Sequence, residues 1–294
     1  MKTIFPIAAL FLIAAFTAHA DPQKLAYERD NAVWVANLDG TSAKKISGGQ
    51  SPDLSPDGTK LAFNTVQPDG QPAHRKIAIA DLADGKIKTF DDVPSNNCLG
   101  AIWSPDGTKL VFTHYIKDDM RIGFINADGT GYHALDKEDA KHKAYWSVCW
   151  AWDGQSIFGQ DMENLYHLGL DGSVIKKWLI SKIVPKGGMS GDIRLDPSSD
   201  GKTLLMDVEM DEPVKRKNWD GPMPSIWTFN LETGKATRIT PKTQMAWDSH
   251  WLTADSILFC TQAANENEAS VYRMNLDGKE KKLLVKNARI PSAK

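Results

Sequence analysis

The chain has 294 residues, of which 41% are hydrophobic, 24% charged and 9% aromatic. That balance belongs to an ordinary globular protein and excludes disordered, collagen-like and coiled-coil classes. A formal net charge of -2 gives no overall attraction to nucleic acid or to anionic lipid.

The N-terminus reads as an export signal. Lys2 supplies a positive start, residues 4–16 form an apolar run broken only by Pro6, and Ala18, His19 and Ala20 make an A-x-A cleavage signature. This pattern predicts a secretory signal peptide over residues 1–20, so residues 21–294 are expected in the periplasm or the medium. The apolar run is short for a membrane span, and no later stretch is long and apolar enough to cross a bilayer. Cys98, Cys149 and Cys260 are odd in number and lack C-x-x-C spacing. Cys149 and Cys260 lie in apolar strand patterns, where a free cysteine acts as a small hydrophobe.

Beyond the signal, one unit recurs. Ser55, Pro56, Asp57 and Gly58 open a run matched by Ser104, Pro105, Asp106 and Gly107, and more loosely around Asp153, Asp200 and Asp255. These turn aspartates are 49, 47, 47 and 55 residues apart, a period that signals stacked or radial units. In each unit a short strand enters the Asp-Gly turn, where glycine supplies a positive φ, and an apolar strand leaves it. A third strand recurs six times, at 32–38, 76–82, 121–127, 164–170, 225–231 and 270–276. A second hairpin follows each, at Gly40, Gly85, Gly129, Gly172, Gly234 and Gly278.

Four strands per unit, with no helical stretch between units, predict an all-β, six-bladed β-propeller filling residues 21–294 as a single domain. The first unit lacks an inner strand, and residues 287–291 look like the start of one. The C-terminal segment is therefore expected to complete blade one and close the ring, removing the free edges of a linear array.

This repeat resembles that of the TolB-like propellers over residues 24–291. The resemblance implies the fold; its members include binding proteins, peptidase accessory domains and some lyases, so it leaves function open. Residue 21 onward leads directly into the blades, without the α/β domain that precedes the propeller in TolB.

No Walker loop, G-x-G-x-x-G, H-E-x-x-H, EF-hand loop or N-x-S/T sequon is present. Asp192 stands where the nucleophile elbow needs its second glycine after Gly188 and Ser190. No catalytic residue, cofactor or metal ligand is assigned. Aligning the inner strands on Trp103, Trp150 and Trp251 places Asp53, Ile102, Cys149, Arg194 and His250 in one register. Two residues earlier come Ser51, Gly100, Ser147, Asp192 and Asp248, and strict alternation would put both sets on the channel side.

One reading is a water-filled channel whose residues pair with one another. The other is a site for a polar or anionic ligand, formed by Asp53, Ser147, Asp192, Arg194, Asp248 and His250, in which the carboxylates could also hold a divalent cation. A long connection, residues 211–224, carries Lys215, Arg216 and Lys217 beside Trp219, a basic and aromatic loop suited to a partner.

The expectation is an exported, monomeric, non-catalytic binding or scaffold propeller. Its partner would be a protein, peptide or glycan at the loop face and channel mouth, with no nucleic acid and no membrane span. The alternative is a lyase acting on an acidic sugar, by resemblance to oligogalacturonate lyases. That resemblance implies a histidine-rich metal site on the channel, whereas only His250 falls in the inner-strand register here.

Overall fold

A computed structural model describes residues 23–66, 74–116, 119–135, 144–212 and 221–294. The predicted export signal and the expected partner-binding residues Lys215, Arg216, Lys217 and Trp219 therefore lie outside the described residues.

Six antiparallel sheets stand in sequence around one axis. Blade two is typical, with strands Gln50–Leu54, Lys60–Asn64, Ile77–Asp81 and Ile87–Thr89 running from axis to rim. Blade three begins at Cys98–Trp103, blade four at Trp146–Trp150 and blade six at Trp247–Trp251. Blade one takes its inner strand, Arg289–Ala293, from the C-terminus and its other three from Lys24–Arg29, Ala32–Asn37 and Lys44–Gly48. The ring is closed as the sequence predicts.

The turns form for local reasons. Asp57 accepts hydrogen bonds from the Ser55 hydroxyl (2.6 Å) and the Thr59 amide (3.0 Å), and Gly58 takes φ 65°. Asp106 repeats this with Ser104 and Thr108, and Asp200 with Ser198 and Lys202. The core lies between blades. Tyr27, Phe63, Phe112, Phe124, Phe229 and Phe259 are fully buried, and each blade's apolar second and third strands pack against the next blade. All three cysteines are free and buried, and burial pushes the Cys98 thiol up to about 12.

Blade five departs from the repeat. Its inner strand is split into Gly187–Gly188 and Leu195–Pro197, both paired with Thr203–Met210. A four-residue helix, Ile180–Ile183, precedes it, where a helix-free connection was expected. Ile180 and Ile183 turn inward, so this short turn exists to bury two apolar side chains at the seam between blades four and five.

Candidate functional site

The inner strands define the axis, and their pairing fixes which residues share a level. Asp53 lies opposite Ala62, Ile102 opposite Val111, Cys149 opposite Phe158 and His250 opposite Leu258. In blade five the residue at this level is Asp196, opposite Leu205, and in blade one it is Ser292, opposite Ala26. Arg194 therefore sits two residues before the shared level, and Asp192 four. The expected alignment is corrected by one pleat in blade five. The signal was present: Asp53, Ile102, Cys149 and Asp196 each stand four residues before their turn aspartate.

The residues two positions earlier do not follow simple alternation. Ser51, Gly100, Ser147, Asp248 and Ile290 all have left-handed φ, between 50° and 60°. Pairing shifts register at this point in blades one, two, three, four and six. Each is a β-bulge that re-aims its side chain, so the two registers do not form one continuous channel face.

A second-strand residue of the preceding blade clamps several of these bulges. Glu28 accepts from the Ser51 amide (3.2 Å), Asn64 from the Gly100 amide (2.9 Å) and Asp207 from the Asp248 amide (2.7 Å). Gln160 fills the equivalent position in blade four and donates to the Ser190 carbonyl (2.8 Å). No sequence motif announces these clamps, because their residue types differ from blade to blade.

The axial side chains are consumed by one another. Asp53 is buried, accepting from the Trp103 amide (3.0 Å) and from the Ser292 hydroxyl (2.8 Å). Arg194 reaches across from blade five to donate to the Pro291 carbonyl (2.6 Å), and its guanidinium lies 3.9 Å from Asp53. His250 is buried with Nδ1 2.8 Å from Asp196, and Asp196 also accepts from the Trp251 amide (2.8 Å). Burial pushes the Asp196 carboxyl up, but His250, Arg194 and that amide outweigh it and leave it below the ordinary range.

Around the bulges two carboxylates face each other. Asp207 accepts from the amides of Arg194 (3.3 Å), Asp248 (2.7 Å) and Ser249 (3.2 Å) and from the Ser249 hydroxyl. Burial and the neighbouring Asp248 charge push it up to about 7. Asp248, raised chiefly by burial, accepts from the Ile290 amide of the closing strand (3.0 Å).

In blade four the Ser147 hydroxyl donates to the Gly191 carbonyl (3.3 Å). Asp192 is exposed, and the Ser190 hydroxyl lies 2.8 Å from it and 2.9 Å from Glu209. The structure thus brings Asp53, Arg194 and His250 into one network through the closing strand. Ser147 and Asp248 stand at the bulges, where Asp248 is buried and bonded to the closing strand, and Asp192 is exposed two residues further from the shared level.

The donor set does not fit a histidine-rich metal site. His114 pairs with the Tyr132 hydroxyl (2.8 Å), His167 with the Ser156 hydroxyl (2.7 Å), and His133 stacks on Phe124. Among the described residues no three His, Cys, Asp or Glu side chains are grouped to hold a metal ion.

A closed six-bladed ring of four-stranded sheets with a self-paired polar axis defines a propeller of the TolB-like fold. The backbone superposes on TolB from Acinetobacter baumannii with a TM-score of 0.68 at 17% identity, covering 92% of this chain and 66% of that one. A chain from a nidogen/laminin complex matches with a TM-score of 0.65 at 11% identity, covering 92% of this chain and 97% of that one.

No family model matches the chain. Among curated proteins it is 24% identical to tricorn protease homolog 1 of Streptomyces coelicolor, over 74% of this chain and 19% of that protein. It is 28% identical to an oligogalacturonide lyase of Pectobacterium atrosepticum, over 57% of this chain and 44% of that protein. The chain therefore spans less than half the length of either curated relative. No helix among the described residues is long and apolar enough to cross a membrane.

Proposed function

We propose that the protein is an exported, non-catalytic binding propeller. It engages a protein, peptide or glycan through the face that carries its variable connections and the channel mouth. The observation that carries this reading is the state of the axis. Arg194, the residue best suited to grip an anionic ligand, is committed to the Pro291 carbonyl and lies beside Asp53. Opening that contact to admit a sugar acid would also remove a hydrogen bond from the closing strand. Rigid scaffolds place binding on variable loops.

The likeness to TolB and to a chain from a nidogen/laminin complex is compatible with a binding role. The oligogalacturonide lyase relative keeps the lyase reading as the competitor. Two measurements separate them. Photo-crosslinking amino acids placed at Trp219 and, in the Asp-Gly hairpin of blade three, at Asp128 are expected to capture a partner from the Trp219 position alone. Oligogalacturonates with divalent cations are expected to leave the melting midpoint unmoved and to yield no unsaturated product. Capture only through Asp128, or turnover abolished by Arg194→Ala, overturns the proposal.

A further inference from the structure

The outer edge of blade four is unlike the other five. Outer strands elsewhere are short: Ile87–Thr89, His133–Ala134, Ala236–Arg238, Lys282–Val285 and the five-residue Lys44–Gly48 of blade one. In blade four the outer strand is Val174–Leu179, the longest of the set. Its sheet ends there, so one side of the strand has no neighbour in the blade.

Its side chains are exposed in a way that costs free energy. Val174 is 54%, Ile175 56% and Leu179 38% accessible, three of the seven exposed large hydrophobic side chains among the described residues. The edges of blades one and six carry adjacent lysines too, but Ile46 of blade one is half-buried against its own core, and the four-residue strand of blade six exposes Leu283 alone, at 36%. The pairing of this strand shifts register at Ile175, and its edge lysines keep off uncharged strands, so only a segment of matching charge can use its exposed β-branched residues for strand addition.

Charge selects the occupant. Between Asp171 and Asp192 the chain has four lysines, Lys176, Lys177, Lys182 and Lys186, and no acidic residue. Lys176 and Lys177 are adjacent in the strand and opposite His167 and Tyr166, so they point to opposite faces of the blade. Lys176 donates one hydrogen bond to the Leu231 carbonyl (3.0 Å) and Lys177 lies over the Tyr166 ring, and each keeps further donors for a carboxylate. A second copy of this chain is disfavoured. Full antiparallel overlap of residues 174–179 with themselves sets Lys176 against Lys177, and like charges directly opposite are destabilising.

We propose that the outer edge of blade four is a docking site for an extended acidic peptide segment of a partner, added as a fifth strand. The segment has two adjacent Asp or Glu residues, one over each lysine, flanked by β-branched apolar residues that cover Val174, Ile175 and Leu179. Backbone hydrogen bonding supplies affinity and the two lysines set register and specificity. This surface is on the rim and is independent of the channel mouth.

The probes are synthetic peptides, Thr-Val-Ile-Glu-Glu-Ile-Val-Thr and its Lys-Lys counterpart, titrated against the full chain by calorimetry. Isotope-edited infrared spectroscopy of the bound peptide reports strand formation. The Glu-Glu peptide is expected to bind as a strand, more weakly as salt rises, while the Lys-Lys peptide does not bind. The variant K176E/K177E gives up the exposed hydrogen bond from Lys176 to the Leu231 carbonyl and should keep the wild-type melting midpoint within a few degrees. It should lose at least tenfold in affinity for the Glu-Glu peptide and gain affinity for the Lys-Lys peptide. No binding of the Glu-Glu peptide, equal binding of both, or an affinity unchanged in the variant would overturn the proposal. Concentration-dependent dimerisation abolished in the variant would assign the edge to a second copy instead.

Discussion

Asp207 and Asp248 sit at the seam between blades five and six, where two carboxylates meet under little water. Asp207 is raised to about 7 by burial and by Asp248. A carboxyl whose folded value exceeds its unfolded value near 3.8 stabilises the fold most below that value. Its contribution is lost as pH rises from about 4 through about 7. His167, lowered mainly by burial, acts in the opposite sense below its ordinary value of 6.5. The readout is therefore the difference between variant and wild type. Asp248→Asn removes the facing charge and keeps an oxygen for the Ile290 amide. Its melting midpoint is expected to gain a few degrees on wild type at pH 8 and little at pH 5. Equal differences at both pH values in thermal melts would contradict this coupling.

Among the elements, the Asp-centred turn is the unit that repeats. Asp57 organises its hairpin through Ser55 and Thr59, and the Ser55 hydroxyl chiefly holds its carboxyl below the ordinary range. Asp57→Ala removes these bonds at a largely solvated site and is expected to cost about 1–2 kcal/mol. For a chain of this size that is a fall of about 2–5 °C in melting midpoint. The depressed value means the bonus is present above about 3.8 and disappears as pH falls through the folded value, so variant and wild type should converge in acid.

The same turns explain how much of the elements was legible. Asp and Gly at fixed offsets are local signals, so the hairpins and the six third strands could be read directly. The inner strand of blade five could not, because Gly187, Gly188 and the short helix at Ile180–Ile183 answer to packing between blades. Ile193 and Leu195 imitate the apolar pattern of other blades, and following it displaced Arg194 by one pleat.

For the molecule as a whole, stability depends on joining the two ends of the chain. Arg289 in the closing strand donates to Glu28 through Nη2 (2.6 Å) and Nε (3.0 Å), and Glu28 is buried. Arg289→Ala would leave that carboxylate in the protein with only the Ser51 amide. Breaking a fully buried pair costs about 3–5 kcal/mol. Because Arg289 is half in water, about 2–3 kcal/mol is expected here. Adding Glu28→Gln to Arg289→Ala should restore much of the loss, since the amide needs no counter-charge and still accepts from Ser51. Urea unfolding of the four members of this cycle checks it; no recovery in the double variant would show that the pair is not what holds the seam.

The sequence by itself determined the architecture: the number of blades, four strands in each, the Asp-Gly hairpins and the use of the C-terminus to complete blade one. Those features follow from local periodicity and turn chemistry, which neighbouring residues carry without help from distant ones. Only the tertiary structure decided what the axis does. Asp53 and Ser292 stand 239 positions apart in the chain, yet share a hydrogen bond. Arg194 meets Pro291 across the ring. Whether such groups face a ligand or each other depends on closure and on bulges at Ser51, Ser147 and Asp248, which no local pattern records.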